Sequence, residues 1–329
     1  MSATISVAMC AFNGACFLPQ QLKSIATQSR LPDELVVCDD GSSDSSPKLV
    51  AEFARSVPFS VRIVRNETTL GSTRNFEKAI FLCTGELIAL CDQDDAWLKN
   101  KLARLAQVME KDSSIGGVFS DAELIDANSN PIGKKLWQIH HFDFARPNGF
   151  DRNAAVKQLL KHDVVTGATL MVRASALKFM SPIPGLWVHD GWIAWMLALY
   201  SRLSFVNEPL IQYRVHADQQ LGVGHRNGLD RPHRPLREDR RKLELMARQF
   251  EALRDRWVSC PGQDYAKFLK MLDDKIAFLR RRSRLPQGFT HRAWAVVHSL
   301  SSYERYARGL SSMRGDLFLP AMNDSRQEA

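Results

Sequence analysis

Apolar positions in this chain recur every second residue, then every third or fourth, and the two periods alternate. Ile5, Val7 and Met9 give the period-two signal of a strand. Phe12-Asn13-Gly14 breaks it as a turn, and Leu18, Leu22 and Ile25 then recur at helical spacing. Leu35-Val36-Val37-Cys38 is a second short apolar run, closed by Asp39-Asp40-Gly41-Ser42-Ser43-Asp44. Leu49, Val50 and Phe53 mark the next helix, with Asp44 or Ser45 as its N-cap. Val61-Arg62-Ile63-Val64 predicts a third strand, and Gly71 opens a helix with Phe76, Ala79, Ile80 and Cys83 on one face. A fourth strand is expected in the run Gly85-Glu86-Leu87-Ile88-Ala89-Leu90-Cys91. This order predicts a parallel sheet covered by helices.

Past Asn100 the pattern loosens. Gly117-Val118-Phe119 and Thr169-Leu170-Met171-Val172 predict strands, Trp192 to Tyr200 an apolar helix, and Leu210-Ile211-Gln212-Tyr213 a last short strand. Residues 126–152 are rich in Asn, Pro, Gly and His and read as an irregular loop. Composition shifts near residue 222. Residues 223–235 read as a linker or lid, and 236–329 as a helical extension on the spacings of Leu243, Met246, Ala247, Phe250 and Leu253 and of Leu269, Leu272, Ile276 and Leu279. A disordered tail is expected over 323–329.

The 329 residues, 45% hydrophobic and 24% charged, suffice for one large domain with an appendage. A net charge of +8 suits anionic partners: nucleotides, nucleic acid or an anionic membrane. Of the six cysteines, Cys10, Cys38 and Cys91 lie in or beside apolar runs, and no Cys-x-x-Cys occurs. Buried thiols in a reducing cytoplasm are the expectation. Met1-Ser2-Ala3-Thr4 leads straight into a strand, so no signal peptide is expected, and no apolar run approaches the roughly 20 residues that span a bilayer. Membrane contact is therefore expected to be peripheral.

The fourth strand ends in Asp92-Gln93-Asp94-Asp95. Carboxylates packed this tightly repel one another and resist desolvation unless a cation sits among them. A hard ion such as Mg²⁺ takes oxygen ligands and usually binds substrate phosphates as well. The turn after the first strand, Ala11-Phe12-Asn13-Gly14-Ala15, is neither Gly-x-Gly-x-x-Gly nor a Walker A loop, which weakens dinucleotide and P-loop readings.

Five motifs in order, Asp39-Asp40-Gly41-Ser42-Ser43-Asp44, Arg74-Asn75, Asp92-Gln93-Asp94-Asp95-Ala96-Trp97, Val188-His189-Asp190-Gly191-Trp192 and Tyr213-Arg214-Val215-His216, resemble family 2 inverting glycosyltransferases, in particular the bacterial rhamnosyltransferase-like branch. The resemblance covers about residues 4–222. It implies an α/β GT-A fold, a Rossmann-like, mostly parallel sheet flanked by helices, with 1–222 as catalytic domain. It implies transfer of a sugar, with rhamnose as one candidate, from a nucleoside diphosphate donor to a saccharide or lipid-linked saccharide acceptor in surface polysaccharide or glycolipid synthesis. By this likeness Asp40 accepts a hydrogen bond from the nucleotide base, Phe12 stacks on that base or stays in the core, and Asn13 belongs to the same pocket. Arg74 meets the diphosphate or helps hold Asp40. Asp94 ligates Mg²⁺ or Mn²⁺, Asp92 holds the ribose and supports the metal, and His216 ligates the metal or contacts the diphosphate. Asp190 is the catalytic base and also sits at a helix start. Asp39 and Asp44 read as turn caps, Asp95 as a helix cap, and Gly167 as a turn near the acceptor.

Arg280-Arg281-Arg282 and Arg284 lie near apolar helical faces. They suit an anionic membrane at the inner face, a solvated helix face, or a dimer interface. A metal-dependent nucleotidyltransferase and a non-catalytic carbohydrate- or nucleic-acid-binding module are the rival classes. Residues 11–18 carry no basic side chain to grip a triphosphate, and no segment interleaves basic and aromatic residues as RNA binding expects. Nucleic acid is therefore not an expected partner.

Overall fold

The computed structural model describes residues 2–143, 150–217, 219, 239–258 and 265–318. The chain divides into two compact units, Met1–Val156 with Asp163–Leu229, and Lys157–His162 with Asp230–Ala329. The expected linker at 223–235, the expected tail at 323–329 and Cys260 lie outside the described residues.

The first unit is built on one sheet of β1 (Ile5–Ala11), β2 (Glu34–Asp39), β3 (Ser60–Arg65), β4 (Leu87–Cys91), β5 (Ala96–Trp97), β6 (Ile115–Ile125), β7 (Pro131–Lys135), β8 (Leu170–Arg173) and β9 (Arg202–Arg214). The spatial order is β3-β2-β1-β4-β8-β6-β9-β5, with β7 on β6. β3, β2, β1 and β4 are mutually parallel, as the alternating pattern predicts. Both faces of this half are covered, so Leu87 to Cys91 are all buried. Beyond β4 the sheet is mixed: β8 is antiparallel to β4 and β6, and β6 pairs parallel with β9.

Helices α1 (Leu18–Ala26), α2 (Ser46–Ala54), α3 (Ser72–Leu82), α4 (Lys101–Lys111), α5 (Leu136–His140), α6 (Arg152–Lys161), α7 (Leu177–Met180) and α8 (His189–Tyr200) accompany the sheet. α1 buries Leu18, Leu22 and Ile25, and α3 buries Phe76, Ala79 and Ile80, the faces that the spacing predicts. Gly71, just before α3, has φ +78°, a backbone that glycine adopts without strain. α8 is buried from His189 to Leu199 apart from Asp190, which suits a helix apolar on all sides.

Three expectations need correction. Residues 126–152 are not irregular throughout, because β7 and α5 lie within them. The strands read at 117–119 and 210–213 are parts of β6 and β9, which run to 11 and 13 residues and pair along most of their length. Polar residues such as Asp121 and Asn207 interrupted the apolar pattern and hid that length.

The second unit is helical: α9 (Arg240–Val258), α10 (Tyr265–Ser283), α11 (Phe289–Val297), α12 (Leu300–Tyr306) and α13 (Leu310–Phe318), with the last part of α6. Lys275 is buried and its Nζ donates to Leu160 O at 2.8 Å and Tyr306 O at 2.6 Å. Arg282, also buried, donates through Nε to Asp316 Oδ2 at 2.6 Å, and the Tyr303 hydroxyl donates to the same oxygen at 2.6 Å. Among the described residues no helix is long and apolar enough to cross a membrane.

Candidate active site

The carboxyl ends of β1, β2 and β4 deliver three loops to one place, the position open α/β sheets use for ligands. Gln93, in the loop after β4, clamps the turn after β1. Its Oε1 accepts from Phe12 N at 2.9 Å and its Nε2 donates to Phe12 O at 3.0 Å. This clamp requires Gly14, where a Cβ would stand 2.0 Å from Gln93 Oε1. Asn13, at φ +49°, donates its N–H to Ser42 Oγ at 2.9 Å, and its Oδ1 accepts from Ser43 N at 2.8 Å. The first two turns are therefore stitched together.

Asp40 is buried, with both oxygens engaged. Oδ1 accepts from Asn66 Nδ2 at 2.7 Å and Leu70 N at 2.8 Å, and Oδ2 from Gly71 N at 2.9 Å. Asn66 and two backbone amides thus hold Asp40, the second of the two roles expected for Arg74, and the diphosphate role is untouched by this. Arg74 instead pairs with Glu77 at 2.5 Å and is half exposed. Asp39 Oδ2 accepts from Ser42 N at 3.1 Å, and Asp44 accepts from Ser46 N and Ala15 N at 2.9 Å each, as turn caps do.

The acidic loop is locked by the end of β9. Asp95 is fully buried and its Oδ1 accepts from Arg214 N at 2.9 Å, while α4 begins only at Lys101. The helix-cap expectation for Asp95 is therefore wrong, because the two-residue β5 intervenes before the helix. Arg214 is buried, and its guanidinium donates to Asp94 O at 2.7 Å, Asp126 O at 3.0 Å and Gln20 Oε1 at 2.6 Å. This strut sets His216 beside Asp94, with Nε2 hydrogen-bonded to Asp94 Oδ2 at 2.8 Å, and the ring of Phe17 lies 4.7 Å from the imidazole.

Asp190 lies in the first turn of α8, where the helix dipole favours an anion. Its Oδ2 accepts from Gly167 N at 3.2 Å and its Oδ1 from Gly191 N at 2.7 Å. A side chain at Gly167 would meet His189 Nε2 at 2.7 Å. His189 is buried and stacks on Phe76 at 4.0 Å. Burial depresses its pKa, against the pull of Asp190.

Electrostatics joins the two sides of the site. Burial, with the charges of Asp94 and Asp190, pushes Asp92 up to about 8. The Tyr213 phenol is raised by burial and by Asp95, Asp92, Asp94 and Asp190. All four carboxylates thus act electrostatically on Tyr213. Buried Lys101 opposes them: its Nζ stands 3.6 Å over the Trp97 ring and donates to Ala168 O at 2.6 Å. Among the described residues, Asp95 Oδ2 and His216 Nδ1 are buried and meet no hydrogen-bond partner.

Among the described residues no three acidic, His or Cys side chains are close enough to cage a cation alone. Asp94 and His216 in contact, with Asp92 crowded by like charge, nevertheless suit a hard divalent ion completed by substrate phosphates, since such ions commonly take one or two carboxylates plus phosphate. Sequence reasoning missed Gln93, Lys101, Phe17 and the strut role of Arg214. Gln93 and Arg214 carried a signal, through their places in the third and fifth motifs.

Residues 6–178 match the profile of Glycosyl transferase family 2. An uncharacterized glycosyltransferase of a Nostoc species is 27% identical over 217 residues, 64% of this chain and 65% of that protein. The chain thus spans just under two thirds of that relative's length. The dTDP-rhamnosyl transferase RfbG of Shigella flexneri is 25% identical over 231 residues, 65% of this chain and 74% of its own. Among solved structures, the mannosyltransferase PcManGT of Pyrobaculum calidifontis, in complex with GDP-Man and Mn²⁺, superposes with a TM-score of 0.55 at 15% identity, covering 92% of this chain and 76% of that one. This likeness carries the fold, a GT-A sheet flanked by helices. On the profile match, which takes in more than half of its length, the chain belongs to Glycosyl transferase family 2.

Proposed function

We propose that the protein transfers a sugar from a nucleoside diphosphate donor to an acceptor hydroxyl with inversion. The observation that carries this reading is the placement of Asp190 within electrostatic reach of Asp92, on a different element from the acidic loop. One side of the site is then built for the leaving diphosphate and the other for the attacking hydroxyl. Asp94 and His216 would hold Mg²⁺ or Mn²⁺, with Asp92 supporting them and facing the ribose. A bound divalent ion neutralises charge on the departing nucleoside diphosphate.

The chain's own residues do the rest. Asp190 accepts the proton of the acceptor hydroxyl through a carboxylate oxygen as that hydroxyl attacks the anomeric carbon. Gly167 N and Gly191 N aim the carboxylate. Asp40, fixed by Asn66 and the Leu70 and Gly71 amides, has lone pairs left for the base, and Phe12 and Asn13, in the turn stitched to Ser42 and Ser43, would complete the base site. Arg74, half exposed and balanced by Glu77, is available to the diphosphate. Rhamnose is the sugar we favour, on the likeness to RfbG, and a saccharide or lipid-linked saccharide of the cell surface is the acceptor class.

Asp190→Asn tests the reading. It should lower kcat by about 10²–10⁴-fold, the usual contribution of a general base, and leave the donor dissociation constant within about twofold. Ordinary turnover in that variant would remove Asp190 from the reaction.

A further inference from the structure

The second unit carries a surface that sugar transfer does not use. Its last three helices leave Phe289, Trp294, Val297, Leu300, Leu310 and Phe318 exposed, Trp294 at 66% and Phe318 at 67%. Half of the large apolar side chains exposed among the described residues fall within residues 289–318. Two pairs among them are neighbours: the rings of Phe289 and Phe318 lie 6.3 Å apart, and Trp294 and Val297 share a face of α11. A concentration of exposed apolar residues on this scale marks an interaction surface.

The charge around it is of one sign. Residues 280–318 hold eight arginines and two acidic residues, a net +6 in a chain of net +8. Arg282 is consumed internally by Asp316, and Arg280 pairs with Glu251. Arg281 and Arg284 remain exposed, and both line a groove of about 340 Å³ beside Leu285, Pro286 and Tyr303. A second copy of the same face would meet it with like charge, which disfavours self-association. Nucleic acid would satisfy the arginines but leave Val297, Leu300 and Leu310 in water. Exposed Trp and Phe among arginines match the boundary of an anionic bilayer, where aromatic rings sit at headgroup level and guanidinium groups meet lipid phosphates.

We propose that this face docks the protein on an anionic phospholipid membrane, with Phe289, Trp294 and Val297 entering the interface and Arg281 and Arg284 against the headgroups. The docking is independent of donor and acceptor, so it is read without them. The full chain is mixed with vesicles of equal parts phosphatidylglycerol and phosphatidylcholine, or of phosphatidylcholine alone, and sedimented over a range of salt. Binding is expected only with phosphatidylglycerol, with release as salt rises. Arg281→Glu with Arg284→Glu should lower partitioning by about tenfold or more, and Trp294→Ser should weaken it. Lys267→Glu with Lys270→Glu, the same charge change in the first half of α10, should bind nearly as the parent does. All of these positions are exposed, and unchanged melting verifies the fold. Several results would overturn the proposal: no binding, equal binding to both vesicles, equal loss in the two double variants, or a dimer in solution that Trp294→Ser dissociates.

Discussion

Lys101 has no solvent contact, and burial holds its pKa down to about 7 against the pull of Cys91, Asp95 and Asp92. Its bond to Ala168 O fixes the turn whose Gly167 N–H aims Asp190. Lys101→Met leaves that carbonyl without its donor. It should cost on the order of 1–3 kcal/mol in thermal melting and lower kcat more than it raises KM. Asp92 sets a pH dependence whose sign follows from its raised pKa. Between the unfolded value near 4 and the folded value of about 8, the native state binds the extra proton, so this group's contribution to stability declines as pH rises through that window. The melting advantage of Asp92→Asn over the parent, without added metal, should therefore grow from pH 4 to 8; a constant or shrinking difference would contradict the crowding. The sequence offers Asp92, Asp94 and Asp190 as candidates because each stands inside a motif. Gln93 and Asp95 share the motif of Asp92, but the partners that hold Gln93, Lys101 and Asp95 (Phe12, Ala168 and Arg214) lie 81, 67 and 119 residues away.

At the scale of elements, β1 to β4 and the helices between them followed from the alternation of periods alone. Buried parallel strands are nearly continuous apolar runs, and the amphipathic helices show one apolar face. β6 and β9 were only partly legible, since their length comes from pairing with each other rather than from local pattern. In the second unit the basic run at Arg280 to Arg284 looked uniform, yet its members part company. Arg282 is a buried ion pair, whereas Arg281 and Arg284 face water. Asp316→Ala would take the carboxylate away from the buried Arg282 guanidinium and from the Tyr303 hydroxyl. It should destabilise the second unit by roughly 3–5 kcal/mol, read as an earlier transition in denaturant unfolding followed by far-UV circular dichroism.

At the scale of the whole molecule, the residues assigned to sugar transfer all fall in the first unit, and the exposed aromatic and arginine surface in the second. The fold and the family were legible because five short motifs fall at strand ends and helix starts. The sugar was not, since no motif reads the pocket that would hold it. The central claim is that the acidic loop binds a nucleoside diphosphate sugar together with a divalent ion. The most direct test is a thermal-shift series with dTDP-, UDP- and GDP-linked sugars, with Mn²⁺ or with chelator, on the parent and on Asp94→Ala. A ligand that binds only the native state raises the melting temperature by mass action. The account predicts that at least one donor raises it with Mn²⁺, that chelator removes the shift, and that Asp94→Ala does not show it. A shift that survives both chelator and Asp94→Ala, or no shift with any donor, would contradict it.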